Sequence, residues 1–177
     1  MHLPFVEFEK WLDVRPLNLS VSRFVMYQNF SRKDSLMRVI EILKAKGDSV
    51  YQISPNASLA ETVAQLVKCN CGALLVTERE RIFGIITERD ILKSIASQNR
   101  PLSELMVRDF MSTDLVTGQP SDDVNSIMGL MTSRRIRHLP ILEDSQLAGM
   151  ISIGDVVKAQ FDLLCHENYY MKVYIQS

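Results

Sequence analysis

Gly84-Ile85-Ile86-Thr87-Glu88-Arg89-Asp90 returns 65 residues later as Gly149-Met150-Ile151-Ser152-Ile153-Gly154-Asp155. The same offset carries Pro55 onto Pro120 and Lys93 onto Lys158 without a gap. A fixed period held over that length means one supersecondary unit built twice. Neither copy can bury its apolar face alone, so the two are expected to pack on each other, and the seam between them is where function is sought.

The repeat has an inner order. Ahead of the first copy, Met37, Ile40 and Leu43 recur at helical spacing and Gly47 supplies a stop. The stretch Val50-Tyr51-Gln52-Ile53 is extended and runs into Pro55, which disfavours helix before it. Ser58-x-x-Glu61 is a capping box, and Leu59, Val63, Leu66 and Val67 form the stripe of the helix it opens. Ala73-Leu74-Leu75-Val76 and Ile82-Phe83-Gly84-Ile85-Ile86 read as buried strands around a charged turn, and a last helix starts near Thr87. The second copy repeats this strand, helix, strand, strand, helix order. Leu115-Val116-Thr117 is its short strand, Val124, Ile127, Met128 and Met131 its helix stripe, and His138–Leu142 and Leu147–Ile151 its paired strands. Pro140 puts the first of these at an edge or makes it irregular.

The fold class expected is α/β (α+β), as two copies of the strand-helix-strand-strand-helix unit packed on each other. Repeat 1 spans 36–98 and repeat 2 spans 105–160, joined by an ordered bridge with a brief apolar helix around Leu102, Leu105 and Met106. Residues 1–35 form an unassigned N-terminal extension, and 161–177 form a helical tail that turns aromatic at Tyr169, Tyr170 and Tyr174.

Composition narrows the classes of function. With 46% hydrophobic residues the chain can build a core, and 20 basic against 21 acidic side chains give no bulk attraction for a nucleic acid. No apolar run is long enough to cross a membrane, which takes about 20 residues. Cys69, Cys71 and Cys165 are odd in number and unhelpfully spaced, which favours free thiols in a reducing compartment. The first residues carry no secretory signal, and Glu7, Glu9 and Asp13 make a poor mitochondrial transit peptide. The expected location is cytoplasmic, with the mitochondrial matrix as the alternative.

The two glycine–apolar–(Thr/Ser)-x-x-Asp blocks, Met111-Ser112-Thr113 with Pro120, and Arg135-Ile136-Arg137-His138-Leu139-Pro140-Ile141 together resemble a tandem pair of cystathionine-β-synthase (CBS) domains, a Bateman module. The resemblance covers about Met37 to Gln160, and Gly149 to Lys158 is similar to small stand-alone CBS-pair proteins of bacteria and plant organelles. It implies pseudo-twofold repeats in which each Asp faces the segment ahead of the paired strands in the other repeat.

Thr or Ser at a strand end with Asp three residues on stands on the first turn of a helix, where free N–H groups and the helix dipole favour an anion. An ionised carboxylate can accept both hydroxyls of a ribose. Plain helix capping uses the same pattern, but two copies in one register favour a nucleotide site. By resemblance, Thr87, Arg89 and Asp90 face Arg135, Ile136, Arg137 and His138, a cleft whose arginines and imidazole suit phosphates. The opposite cleft sets Ser152 and Asp155 against Asn70, Cys71 and Gly72 and has no cation from either motif, so it is expected to bind less well. Tyr51 sits where the family's adenine pocket begins. Lys46 either reaches phosphates or only complements the C-terminal end of its helix.

The favoured function is a regulatory module that binds an adenine nucleotide, AMP, ATP or NAD(H), and acts as an energy or redox sensor for an unknown regulated protein. The alternative is a ligand-free dimerisation or interaction module. An enzyme is not expected, because the sequence offers no nucleophile–base pair and no Gly-rich phosphate loop. Scattered histidines and Cys69-Asn70-Cys71 make a metal site improbable. A homodimer is expected, with apolar residues of the helices after Ser58 and Asp123 covered by a second copy.

Overall fold

Pro140 and its counterpart Leu75 decide how the two repeats differ. The computed structural model describes residues 37–47, 50–79 and 81–175; the expectations for residues 1–35 lie outside them. Repeat 1 contains β1 (Gln52–Ile53), α2 (Leu59–Cys69), β2 (Ala73–Glu78), β3 (Arg81–Thr87) and α3 (Glu88–Ser97), preceded by α1 (Val39–Lys46). Its sheet runs β1-β2-β3, with β1 parallel and β3 antiparallel to β2. Repeat 2 contains α5 (Val124–Arg134), β4 (His138–Glu143), β5 (Gln146–Ser152) and α6 (Ile153–Ile175). The bridge holds a 3₁₀ turn at Leu102–Glu104 and the short helix α4 (Val107–Phe110).

The expected strand at Leu115-Val116-Thr117 does not form. What remains is one parallel bridge, Gly118 to Ile141, with Gly118 N–H donating to Pro140 O at 3.0 Å and Leu142 N–H to Gly118 O at 2.9 Å. In repeat 1, Leu75 N–H donates to Tyr51 O at 3.0 Å and extends the β1–β2 ladder. Pro140 occupies the equivalent place, faces the same side and has no N–H to give Val116. One imino acid thus removes the rung that would make a strand of the second copy's lead-in segment, while β4 still pairs β5 on its other edge.

Two separate cores lie under this arrangement, and each takes in a lead-in segment from the other half of the chain. Val39, Ile42 and Leu43 of α1 pack with Val124, Ile127, Met131, Leu139, Ile141, Ile151 and Val156 of repeat 2. Leu105 and Val107 of the bridge pack with Leu59, Leu66, Leu74, Val76 and Ile86 of repeat 1. The backbone seals both exchanges: Val124 N–H donates to Met37 O at 3.0 Å, and Leu59 N–H to Leu105 O at 2.8 Å. The recurring glycines mark the crossings. A Cβ on Gly84 would stand 2.5 Å from the Ser112 carbonyl oxygen, and one on Gly149 would stand 2.7 Å from Leu43 Cδ2. At Gly84, where the close atom is backbone, only a glycine lets the segments lie so close.

The helix starts follow from their caps. Ser58 and Glu61 cap α2 reciprocally, and Asp123 accepts from Ser126 N–H at the start of α5. At the other ends, Asn70 and Arg135 both stop their helices in the left-handed conformation, at φ 48° and 55°. The residues left exposed differ from the surface expected for dimerisation. Val67 is exposed on α2, but the larger set, Leu92, Ile95, Val157, Phe161 and Leu164, lies on α3 and α6. Helix α6 continues without a break through the tail, and among the described residues no helix is long and apolar enough to cross a membrane.

Candidate functional site

Thr87 and Ser152 end β3 and β5, and the chain turns at each directly into a helix. Thr87 N–H and Oγ1 donate to Asp90 Oδ2 at 3.1 and 2.7 Å, while Asp90 N–H returns to Thr87 Oγ1 at 3.4 Å. Ser152 N–H and Oγ donate to Asp155 Oδ2 at 2.7 and 2.8 Å, and Asp155 N–H returns to Ser152 Oγ at 3.2 Å. Both aspartates therefore cap their helices, and in each the capping uses Oδ2. What distinguishes them is the cation each meets: Lys93 approaches Asp90 at the other oxygen, Oδ1, whereas Lys46 reaches Asp155 at the capping Oδ2 itself.

Thr87, Arg89, Asp90, Arg135, Ile136, Arg137 and His138 line one cleft of about 290 Å³ between the repeats. The strand-end turn of repeat 1 and the turn between α5 and β4 of repeat 2 close on each other, tied where Arg89 Nη1 donates to Arg135 O at 3.3 Å. Arg134 and Lys93 add two further cations to the wall, against the carboxylates of Glu88, Asp90 and Asp114. Lys93 stands 3.7 Å from Asp90 Oδ1, and its side chain is 71% exposed, so its hold on that oxygen is weak. A neighbouring cavity shares Arg89, Arg135, Ile136 and Arg137. Arg135 stays left-handed although it carries a Cβ, a conformation that costs about 1–2 kcal/mol for a residue other than glycine.

Sequence reasoning missed the far wall of this cleft, formed by Ser112, Asp114, Leu115 and Val116. The repeat offset contains the signal, because it sets Val116 opposite Tyr51. Tyr51 is exposed and lines neither described cavity.

Asp155 has a different neighbour. Lys46 Nζ donates to Asp155 Oδ2 at 2.7 Å and to Met150 O at 3.1 Å. The expectation that this side has no cation held only for the two motifs; α1 supplies one from outside them, and Lys46 is on the Asp155 side rather than in the arginine-lined cleft. Burial raises the Asp155 pKa, but the hydrogen bonds from Lys46 and Ser152 and the lysine's charge outweigh it, leaving the carboxyl below its ordinary value.

His138 lies near both sides. A Cβ on Gly72 would be 3.2 Å from its Cε1 and 3.3 Å from a Glu88 carboxylate oxygen, so the imidazole closes over Gly72. Burial, then the positive charge of Lys46, lower its pKa below 6.5, against the opposing pull of Glu88 and Asp155. This moves any cationic contribution of the imidazole to phosphate binding to lower pH than the window near 6.5 expected from sequence. Burial likewise raises the Cys71 thiol above its ordinary value and keeps it protonated. Among the described residues no His, Cys, Asp and Glu cluster could hold a metal ion.

The CBS domain model matches the chain twice, at residues 39–97 and 107–162. The mitochondrial CBS domain-containing protein CBSX3 of Arabidopsis thaliana is 35% identical over 148 residues, covering 78% of this chain and 72% of that protein. The crystal structure of the CBS-domain protein ATU1752 from Agrobacterium tumefaciens superposes with a TM-score of 0.68 at 37% identity, over 70% of this chain and 99% of that one. The CBS domain pair of MJ0100, crystallised with 5′-methylthioadenosine and S-adenosyl-L-methionine, shares the fold at a TM-score of 0.63 and 22% identity, over 72% of this chain and 98% of that one.

Proposed function

We propose that this chain, which belongs to the CBS-domain family and carries the domain as a tandem pair, is a regulatory module whose Asp90 cleft binds an adenine nucleotide. The observation that carries this reading is the meeting of Asp90 with Arg89, Arg135 and Arg137 in one cleft of suitable size. Among the described residues Asp90 Oδ1 has a long contact to an exposed lysine, and Asp90 lines a cavity where ribose hydroxyls can donate to its carboxylate. The arginines then take the phosphates through charge-assisted bonds. Ile136, Leu115 and Val116 supply apolar surface for a base.

In this reading the ligand bridges the repeats, touching the strand-end turn of one and the helix-end turn of the other. Its binding would stiffen the seam and change what the outer helices present to a regulated protein. AMP, ATP and NAD(H) all carry the necessary ribose and phosphate. The pair in MJ0100 holds two adenosyl compounds, whereas the ligand class proposed here rests on the cleft's own side chains. No catalytic role is proposed. A cytoplasmic setting, or the mitochondrial matrix, is compatible with free thiols.

The interaction-module reading has one observation in its favour: α3 and α6 expose Leu92, Ile95, Val157, Phe161 and Leu164. A homodimer through these helices fits both readings. Thermal unfolding with AMP, ATP, NADH and adenosine separates them, because a ligand that binds only the folded chain raises its melting temperature. We expect AMP to raise it by more than adenosine, with the difference shrinking in high salt. No shift with any of the four would leave the interaction module.

A further inference from the structure

Helix α6 has two apolar faces. Ile153, Val156 and Ala159 pack with the core of repeat 2, while Val157, Phe161, Leu164 and Met171 each leave more than half of their surface exposed. With Asn168 between Leu164 and Met171, the second face is spaced by four, three, four and three residues. That alternation is the seam of a left-handed coiled coil, with Phe161 and Asn168 on one of its two core positions and Val157, Leu164 and Met171 on the other. We propose that α6 carries a parallel two-stranded seam for a second copy of this chain, and that Asn168 sets its register.

The occupant follows from the polar groups on and beside the seam. Asn168 is exposed, and its Nδ2 donates to Leu164 O at 3.0 Å, an acceptor on its own helix. An amide both donates and accepts, so across a parallel twofold axis each Asn168 meets its counterpart and the two bond to each other. In an antiparallel pair the two core positions face one another, and the amide would meet an apolar residue instead.

Charge agrees with the parallel choice. The sequence sets Glu167 five residues before Lys172, on the opposite flank of the seam. That is the interval at which a parallel pair brings a glutamate of one helix to a lysine of the other. Twofold symmetry makes the contact twice. Reversing one helix would bring the flank that carries Lys158 and Lys172 against its own copy. A seam this short would not hold two free peptides together, but α6 is already anchored by Val156 and Ala159, so association does not have to order the helix from coil.

Analytical ultracentrifugation of the full chain tests this independently of any ligand. The parent should be a dimer at micromolar concentration. Leu164→Asp should be a monomer with unchanged circular dichroism, because Leu164 is exposed in the single chain. Glu167→Lys should weaken the dimer roughly two- to tenfold, as two exposed pairs become repulsive, and adding Lys172→Glu should restore it. The charge exchange keeps the proposal falsifiable if the Leu164 variant loses its fold. A monomeric parent, which would leave the face to residues 1–36 or to another protein, overturns it. So does a dimer that survives Leu164→Asp in a folded chain, one indifferent to Glu167→Lys, or a loss that Lys172→Glu does not repair.

Discussion

Asp90 and Asp155 accept the same three-residue cap from Thr87 and Ser152, yet one shares a cleft with Arg134, Arg135 and Arg137 of the opposite repeat and the other holds a lysine from α1. Identical local chemistry has been turned to different ends by what crosses over it. The lesson is that the motif sets the orientation of the carboxylate, while its availability is set by the segment arriving from elsewhere. At the first cleft that segment brings Leu115 and Val116; at the second it brings Lys46.

The largest test of this contrast removes each carboxylate in turn. Asp90→Ala should weaken AMP by about 1.5–3 kcal/mol, the range for hydrogen bonds to a charged group. Asp155→Ala should leave AMP affinity nearly unchanged, since its carboxylate is committed to Lys46. Calorimetric titration of both variants decides the matter, and equal losses would mean that the two clefts are not functionally distinct.

A second contrast concerns the crossings themselves. Gly84→Ala drives a methyl against the Ser112 carbonyl, a backbone atom held by the mutual bonds of Ile85 and Ser112 at 3.0 and 2.9 Å. Gly149→Ala meets only the end of the Leu43 side chain, which can change rotamer. Gly84→Ala should therefore cost about 1–3 kcal/mol and Gly149→Ala roughly 1 kcal/mol or less, measured by denaturant unfolding. The reverse order would show that α1 is the less yielding of the two crossing segments.

Much of this was legible in the sequence because the repeat fixes its own register. The glycines, the caps at Ser58 and Thr87, and the paired strands all follow from the offset and from local periodicity. Two features were not legible, for a shared reason. The lost strand at 115–117 depends on which edge of β4 the missing N–H of Pro140 faces, and the Lys46–Asp155 pair joins residues 109 positions apart. Both are consequences of tertiary pairing, and local pattern has no information about partners at that distance. Comparing Lys46 with Met111 at the repeat offset would have shown that the copies differ there, though not that the lysine reaches the aspartate.

Smaller effects sharpen the chemistry of the first cleft. Arg137→Ala should reduce the preference for AMP over adenosine by about 1 kcal/mol, as expected for a partly solvated charge-assisted contact. Adenosine affinity should barely move, because Arg137 is assigned to the phosphate. Competition measurements at low and high salt read this directly: a variant that loses both ligands equally would place Arg137 against the nucleoside instead.

The smallest effect concerns protons. His138 binds its proton less tightly folded than unfolded, because burial and then Lys46 disfavour the imidazolium. The unfolded chain therefore takes up the proton first as acid is added, beginning near its ordinary value of about 6.5. Stability is full above that value and declines as pH falls toward the folded-state value, after which this contribution is exhausted. Asp155 adds a separate decline at lower pH, as its depressed carboxyl is protonated and releases Lys46. The melting temperature of the parent should drop between pH 7 and 5.5 by more than that of His138→Gln. Lys46→Met should also soften the drop, since removing the ammonium raises the imidazole pKa toward its unfolded value. Parallel profiles for all three chains would place the proton uptake at another group. A softened drop in Lys46→Met would show that the lysine on Asp155 is also felt at the imidazole lining the first cleft, so that the two sides of the seam share one electrostatic field.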